Sequence, residues 1–339
     1  MDRHVGGIFM GKRPVTLFTG QWADLTFEEI CKKASSWGYD GLEIACWGDH
    51  MDLERAATDP AYVENRKNIL EKYGLKCWAL GAHLEGQCVG DLYDSRLDGF
   101  APDSCKGYPK KIRAWGIKQM MFAPTAARNM GCYTVTGFTG SPVWKFWYSF
   151  PQTTEKMVED GYKEIFDLWT PIFDRFDSEG VTFSLEVHPT EIAFDYYTAK
   201  KLLEVFKYRK TLGFNFDPSH LIWQGVKPHL FIRDFGDRIY HVHMKDAAVT
   251  LDGRAGILGS MLTFGDTRRG WNFRSLGHGQ VDFEEIIREL NNVGYSGPLS
   301  VEWEDSGMER EYGAREAAQF VRKVDFEPSN IAFDDALRS

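Results

Sequence analysis

The sequence predicts an α/β fold, a single closed (β/α)8 TIM barrel. Eight short β-rich runs alternate with helical patterns over nearly the whole chain, and no linker-like Pro/Gly/Ser stretch divides it. Polar, chemistry-bearing residues also gather at the C-terminal ends of these runs, where barrel enzymes build their sites. A doubly wound open sheet is the alternative, but no G-x-G-x-x-G follows the first run.

The eight expected strands are PVTLFT (14–19), GLEIA (41–45), LKCWAL (75–80), CYTVTGF (132–138), VTFSLEV (181–187), TLGFNF (211–216), RIYHVHM (238–244) and PLSVEW (298–303). Helices fill the gaps. Thr26 with Glu29, and Asp282 with Glu285, fit capping boxes ahead of amphipathic runs. Gly38 in WGY and Gly294 in VGY fit left-handed residues that end helices and feed the next strand. Two connections exceed the usual length: an aromatic-rich one after the fourth strand, and one after the seventh, 247–279, rich in Gly, Arg and Asp. Both leave the C-terminal ends of strands and are expected to wall or cover a site. The barrel is expected to occupy 1–324, with 325–339 as a tail on the barrel or on a partner subunit.

A chain of 339 residues accommodates such a barrel as one domain. The apolar fraction of 43% with 26% charged residues supplies an ordinary globular core. A net charge of −9 without a Lys/Arg block argues against nucleic acid and anionic membranes, which need a basic footprint. The amino terminus lacks an apolar secretory core, and no run approaches the roughly 18 apolar residues of a membrane span, so a cytoplasmic protein is expected. Six scattered cysteines without C-x-x-C read as free thiols rather than a disulfide or zinc framework.

The strand ends carry the chemistry. Glu43 lies on the second strand and His83 follows the third; Glu186 and His188 end the fifth. The sixth carries Asn215 and Asp217, then Ser219 and His220; the seventh carries His241, His243 and Lys245, and the eighth Glu302 and Glu304. Because alternate strand residues share a face, Glu186, Asp217, His243 and Glu302 can meet at one point. Three carboxylates and an imidazole repel one another without a cation; with one they form an oxygen-rich site suited to Mn²⁺, with Mg²⁺, Co²⁺ or Zn²⁺ as alternatives. Blander roles compete for the other residues. Glu43 fits a buried carboxylate tied to backbone or lysine, with a sugar hydroxyl as the functional alternative. Trp22, Trp47 and Trp144 fit packing, with stacking on a sugar ring as the alternative. His4, His50 and His229 fit structural or surface positions, and Lys245 could simply pair with Asp246.

LEVHP, FNFDPSH, YHVHMKD and SVEWED, in that order and spacing, resemble the sugar phosphate isomerase/epimerase family with the xylose-isomerase-like TIM barrel. The resemblance runs from PVTLFTGQWADL through the eighth strand. It implies a divalent cation, commonly Mn²⁺, held by Glu186, Asp217, His243 and Glu302. In ketose epimerases of this family the two matching glutamates also shuttle a proton on opposite faces of the substrate. This chain departs from them, with Ile192 and Val249 where they carry a substrate-gripping Glu and Arg. Its EVHP motif resembles a branch associated with sugar oxidoreductases and C-glycoside deglycosidases, in which the imidazole of His188 would act as acid/base.

The expected function is a metal-dependent isomerase or epimerase of an unphosphorylated sugar or keto-sugar, working through an enediolate. Glu186 and Glu302 are expected as ligands and acid/base groups, His188 as the free proton carrier, and His83, His220 and Lys245 as holders of substrate hydroxyls, with Glu43 and Trp22 as further contacts. A lyase that expels a leaving group from a 3-keto sugar is the second reading. An abasic-site endonuclease is a third, opposed by the missing basic groove, and a non-catalytic sugar-binding subunit a fourth. A homo-oligomer is expected, with a small second subunit as a possible addition.

Overall fold

The computed structural model describes residues 12–151 and 153–329 together with 331, 334 and 337. All eight expected runs form strands, and all eight join one parallel barrel. They are β1 (Val15–Phe18), β2 (Gly41–Ala45), β3 (Lys76–Gly81), β4 (Thr134–Gly137), β5 (Thr182–Glu186), β6 (Leu212–Phe216), β7 (Ile239–Met244) and, after two further strands, β10 (Leu299–Val301). The barrel order β1-β2-β3-β4-β5-β6-β7-β10 closes through the β10–β1 pairing. Most are a residue or more shorter than their apolar runs, because apolar character continues where ladder pairing stops. Glu302 and Glu304 therefore stand beyond β10, and Asp217 and His188 beyond β6 and β5.

Helix boundaries follow the local chemistry. Thr26 and Glu29 form the full capping box of helix Phe27–Trp37, which Gly38 ends at φ 89°. Asp282 accepts the Glu285 N–H, but the return bond from Glu285 is missing, so the second box is half made. Helix Glu155–Glu179 lays Trp169, Phe173 and Phe176 on Phe183 of β5, the nearest ring centroids 4.8 Å apart. This aromatic layer seals the outer face of the strand that ends in Glu186.

The 247–279 connection is more ordered than its composition predicts. It contains an antiparallel pair, β8 (Asp246–Val249) with β9 (Trp271–Arg274). Asp246 accepts backbone N–H groups from Ala247, Gly277, Gly279 and Val281 and so ties both ends of the excursion together. Gly279 is required there, since a Cβ would sit 2.2 Å from Asp246 Oδ1. Asp246 is thus fully engaged by backbone and is not the ion-pair partner of Lys245.

Asp325, the first residue assigned to the tail, is buried and pairs with Arg13 at 2.5 Å, so this segment begins docked beneath β1. His4 and most of the tail beyond 329 lie outside the described residues. The six cysteines carry no disulfide. No helix among the described residues is long and apolar enough to cross a membrane.

Candidate metal centre and active site

Register brings the chemistry to one point. Glu186 pairs with Asn215, so Asp217, two residues on, shares that face just past β6; His243 pairs with Ser300, so Glu302 does the same past β10. One ligand atom from each of Glu186, Asp217, His243 and Glu302 lies within 4.8 Å of the other three, and all four residues are buried. His243 Nδ1 stands 2.9 Å from Glu302 Oε2 and 3.4 Å from Glu186 Oε2. Lys245 Nζ lies 3.2 Å from Glu302 and 3.0 Å from Glu304.

The charges of this cluster are unequally settled. Burial works against ionisation of Glu186, yet contacts from His220, His243 and His83 outweigh it and hold its carboxyl well below the usual range. Burial likewise opposes ionisation of Glu302, but the Lys245 ammonium prevails and brings it to about 2. Asp217 goes the other way: burial lifts it above the ordinary value despite His220 and Lys245. For His243, burial disfavours the cation, but Glu43 and Glu302 overcome this and raise it well above the usual value.

Hydrogen bonding leaves the cluster incomplete. Asp217 Oδ2, Glu302 Oε2, His243 Nδ1 and His220 Nε2 are all buried and lack a well-formed hydrogen bond. Isolated orphans of this kind are costly; four that converge on one point fit a ligand site. Three carboxylates with one imidazole are a donor set for a divalent cation of the Mn²⁺ or Mg²⁺ type, with Zn²⁺ compatible. The residues present therefore fit a metal.

Three more histidines border the centre. His83 opens helix His83–Gly90 and sets Nε2 3.1 Å from Glu186 Oε2, its ring packed on Phe18 and Phe138. His220 Nε2 lies 3.3 Å from Glu186 Oε1 and 3.4 Å from Asp217 Oδ2. His188 is half-buried, its ring centroid 4.1 Å from that of His220, and its Nδ1 has no partner. Burial, with the neighbouring His220, pushes His188 down to about 3, so its ring is neutral at pH 7. His188 is held on a tight turn: Thr190 takes φ 92°, and Glu191 reaches across to accept N–H groups from Thr139 and Gly140.

Two expected substrate contacts are corrected. Glu43 is 0% exposed, and both its oxygens are occupied. Thr136 donates to Oε1, while Ser300 donates to Oε2 and both His241 and His243 lie 2.9 Å from it. It anchors His243 from behind rather than meeting a sugar. Trp22 is also 0% exposed; Trp37 packs on it at 5.0 Å and Arg310 lies over its ring at 4.8 Å, so no face is free to stack. His50, expected as structural, is so: it bonds Thr19 and the Leu25 carbonyl.

Sequence reasoning passed over Gln21, whose Nε2 donates to Glu302 at 2.7 Å and to Glu304 at 3.3 Å. Its place directly after β1 was the available signal, but a neutral amide does not stand out among ionisable groups. Asn215 was noted as polar without a role. Its amide sits 3.1 Å from His243 Nε2 and 3.4 Å from Glu186 Oε2, joining two members of the cluster.

Comparisons with known proteins agree with this architecture. The chain is 24% identical to YfiH of Bacillus subtilis (strain 168) over 321 residues, covering 90% of this chain and 97% of that one. Over 89 residues, 26% of this chain and 29% of the other, it is 33% identical to inosose dehydratase of Clostridium beijerinckii. Among solved structures, the 3-keto-D-glucoside 4-epimerase YcjR of E. coli superposes with a TM-score of 0.66 at 15% identity, covering 92% of this chain and all of that one. The IolI protein with a bound zinc atom superposes with a TM-score of 0.61 at 18% identity, over 92% of this chain and 96% of IolI. A family model described as xylose isomerase-like TIM barrel matches residues 31–324, most of the chain and every metal-cluster residue. The chain belongs to the xylose isomerase-like TIM barrel family.

Proposed function

We propose that this protein is a divalent-metal-dependent isomerase or epimerase of a sugar or keto-sugar, removing a proton next to a carbonyl and returning it elsewhere. The observation that carries this reading is the convergence of Glu186, Asp217, His243 and Glu302, with unpaired buried atoms, beside a neutral His188. Glu186, Asp217, His243 and Glu302 would hold the cation, with Mn²⁺ the best match to the donor set and Mg²⁺, Co²⁺ or Zn²⁺ alternatives. When bound, the cation would polarise the substrate carbonyl and acidify the neighbouring C–H.

The chain's own residues do the rest. His188, neutral with a free Nδ1, accepts the proton and gives it back, with Glu186 at the end of the same strand and Glu302 just past β10 as carboxylate acid/base groups. His83, His220 and Lys245 orient the sugar hydroxyls. Burial of the cluster excludes water, which strengthens each of these interactions. The similarity to a 3-keto-D-glucoside 4-epimerase supports a keto-sugar, and the zinc in IolI supports a metal.

A second reading is a lyase: the same proton removal, followed by departure of a group from the adjacent carbon. The segment shared with inosose dehydratase favours it. Two measurements separate the readings. Elemental analysis of the purified protein should find a divalent cation, and neither a bound ion nor a response to added Mn²⁺ would refute both. Incubation with free and 3-keto sugars in D₂O should put solvent deuterium into recovered sugar if the enzyme isomerises; release of water or an aglycone without incorporation assigns the lyase.

A further inference from the structure

Two of the six free cysteines touch. Cys77 Sγ lies 3.6 Å from Cys132 Sγ, although the residues are 55 apart in sequence. Cys77 is the second residue of β3, and Cys132 lies two residues before β4. These strands pair as Leu80 with Val135 and Gly81 with Thr136, and each cysteine stands three residues before the first of those pairs. Barrel register therefore sets the contact. Neighbouring strands run about 4.8 Å apart, within the roughly 4.4 to 6.8 Å between Cα atoms that a disulfide spans. Rotation of the two side chains is then enough to bring the sulfurs to the bonded distance of about 2 Å.

The two thiols are unequal in a way that orders their chemistry. Cys77 is half-buried, whereas Cys132 is buried, so a small oxidant reaches Cys77 first and finds Cys132 beside it. Cys77 donates its S–H to Cys132, which in turn donates to the Ala127 carbonyl at 3.5 Å, so a lone pair of Cys132 faces the Cys77 sulfur. The bond to Cys132, together with burial, holds the Cys77 thiol well above its ordinary value against the nearby Lys67 ammonium. Thiolate is therefore scarce and attack on an oxidant slow. Slow reaction fits a modification made under oxidant excess, not turnover of peroxide. The remaining thiols, Cys31, Cys46, Cys88 and Cys105, have no such contact with another sulfur among the described residues.

We propose that Cys77 and Cys132 are a reversible modification site, joined as a disulfide when the protein meets a hydroperoxide. The Cys77 sulfur attacks the O–O bond of hydrogen peroxide; one oxygen leaves as water and the other stays on sulfur as the sulfenic acid. Cys132 then attacks that sulfur and gives up its proton, and the hydroxyl departs as a second water. Two thiols and one peroxide become one disulfide and two waters, the thiols oxidised and the peroxide oxygens reduced. The bond would bracket helices His83–Gly90 and Pro109–Met130 and staple β3 to β4. It would do so at the N-terminal ends of the strands, whereas the metal cluster gathers at the C-terminal ends, so it stands apart from the sugar reading.

Mapping the cross-link tests it. The full chain, purified in reductant and freed of it, is treated with hydrogen peroxide, blocked with N-ethylmaleimide and digested for mass spectrometry. A peptide pair joining Cys77 to Cys132 should appear, lighter by two hydrogens than the separate peptides, and disappear on adding dithiothreitol. Cys105→Ser, which removes the other half-buried thiol, should leave the cross-link in place. Cys132→Ser should abolish it and send Cys77 on to the sulfinic acid. The oxidised wild-type protein should also unfold at a higher urea midpoint than the reduced one, because the bond restricts the unfolded chain. Both thiols still open to blocking after prolonged peroxide, Cys77 joined to a different cysteine, or a cross-link that forms only once urea unfolds the chain would each overturn the site. These readings come from the wild-type chain and hold even if Cys132→Ser folds poorly. A midpoint unchanged or lowered by the cross-link would overturn its role as a staple.

Discussion

Two buried carboxylate clusters share His243, and they are finished differently. Around Glu43, the side chains of Thr136, His241, His243 and Ser300 occupy both oxygens. Around Glu302, Asp217 and Glu186, oxygens and a ring nitrogen remain without proper partners. Both groupings have the residue types and spacing of metal ligands. The difference shows that residue type nominates a buried carboxylate, whereas its hydrogen-bond satisfaction assigns it: a saturated cluster supports, and an unsaturated one receives a ligand.

The most severe way to break this contrast is to remove a ligand from the open cluster. Asp217→Ala or Glu302→Ala should abolish bound metal by elemental analysis and turnover with it; a chelator should do the same to the native protein, reversibly on adding Mn²⁺. Full activity in the metal-free protein would end the distinction. Next in size, His188→Ala should keep the metal and the melting temperature while turnover drops by roughly 10² to 10⁴, the usual contribution of a general acid/base group. An unchanged rate removes His188 from the chemistry.

The closed cluster should respond through stability. Glu43→Ala strips the acceptor shared by His241, His243 and Ser300 and should cost about 3–5 kcal/mol in denaturant unfolding, the range for breaking a buried pair. It should also weaken metal binding roughly 10- to 100-fold, as loss of a group behind a ligand does. Equal stability with normal affinity would mean that saturation at Glu43 is incidental.

Glu85 sharpens the contrast from a third direction, through pH alone. It is buried, its Oε2 has no partner, and burial pushes it up from 4.5 to about 8. The folded state then holds a proton that the unfolded state has lost between these values. This contribution to stability is full below about pH 4.5 and is lost as pH rises toward 8. Glu85→Gln should flatten that part of the stability–pH profile, measured by urea midpoints; an unaltered slope would show that Glu85 is ionised as cheaply as a surface carboxylate.

Much of this was legible in the sequence, and the limits have physical causes. The eight strands could be read because strands covered on both faces form apolar runs, and their shared C-terminal polarity could be read because period-2 spacing puts Glu186 with His188 and Ser300 with Glu302. The β8–β9 pair was missed because its ladder lies in a Gly- and Arg-rich excursion whose order depends on Asp246 gathering three distant N–H groups, those of Gly277, Gly279 and Val281. Gln21 was missed because its importance lies in reaching the far side of the barrel closure, to Glu302 and Glu304.

By itself, then, the sequence determined the barrel and the four residues that meet at its mouth, since repeated strand patterns and strand-end chemistry are local properties. Only the tertiary structure decided that Glu43 is a brace and Trp22 a wall rather than contacts for a sugar. A side chain's exposure and hydrogen-bond partners are set by what the other strands bring against it, and here those partners lie some 90 to 290 residues away along the chain.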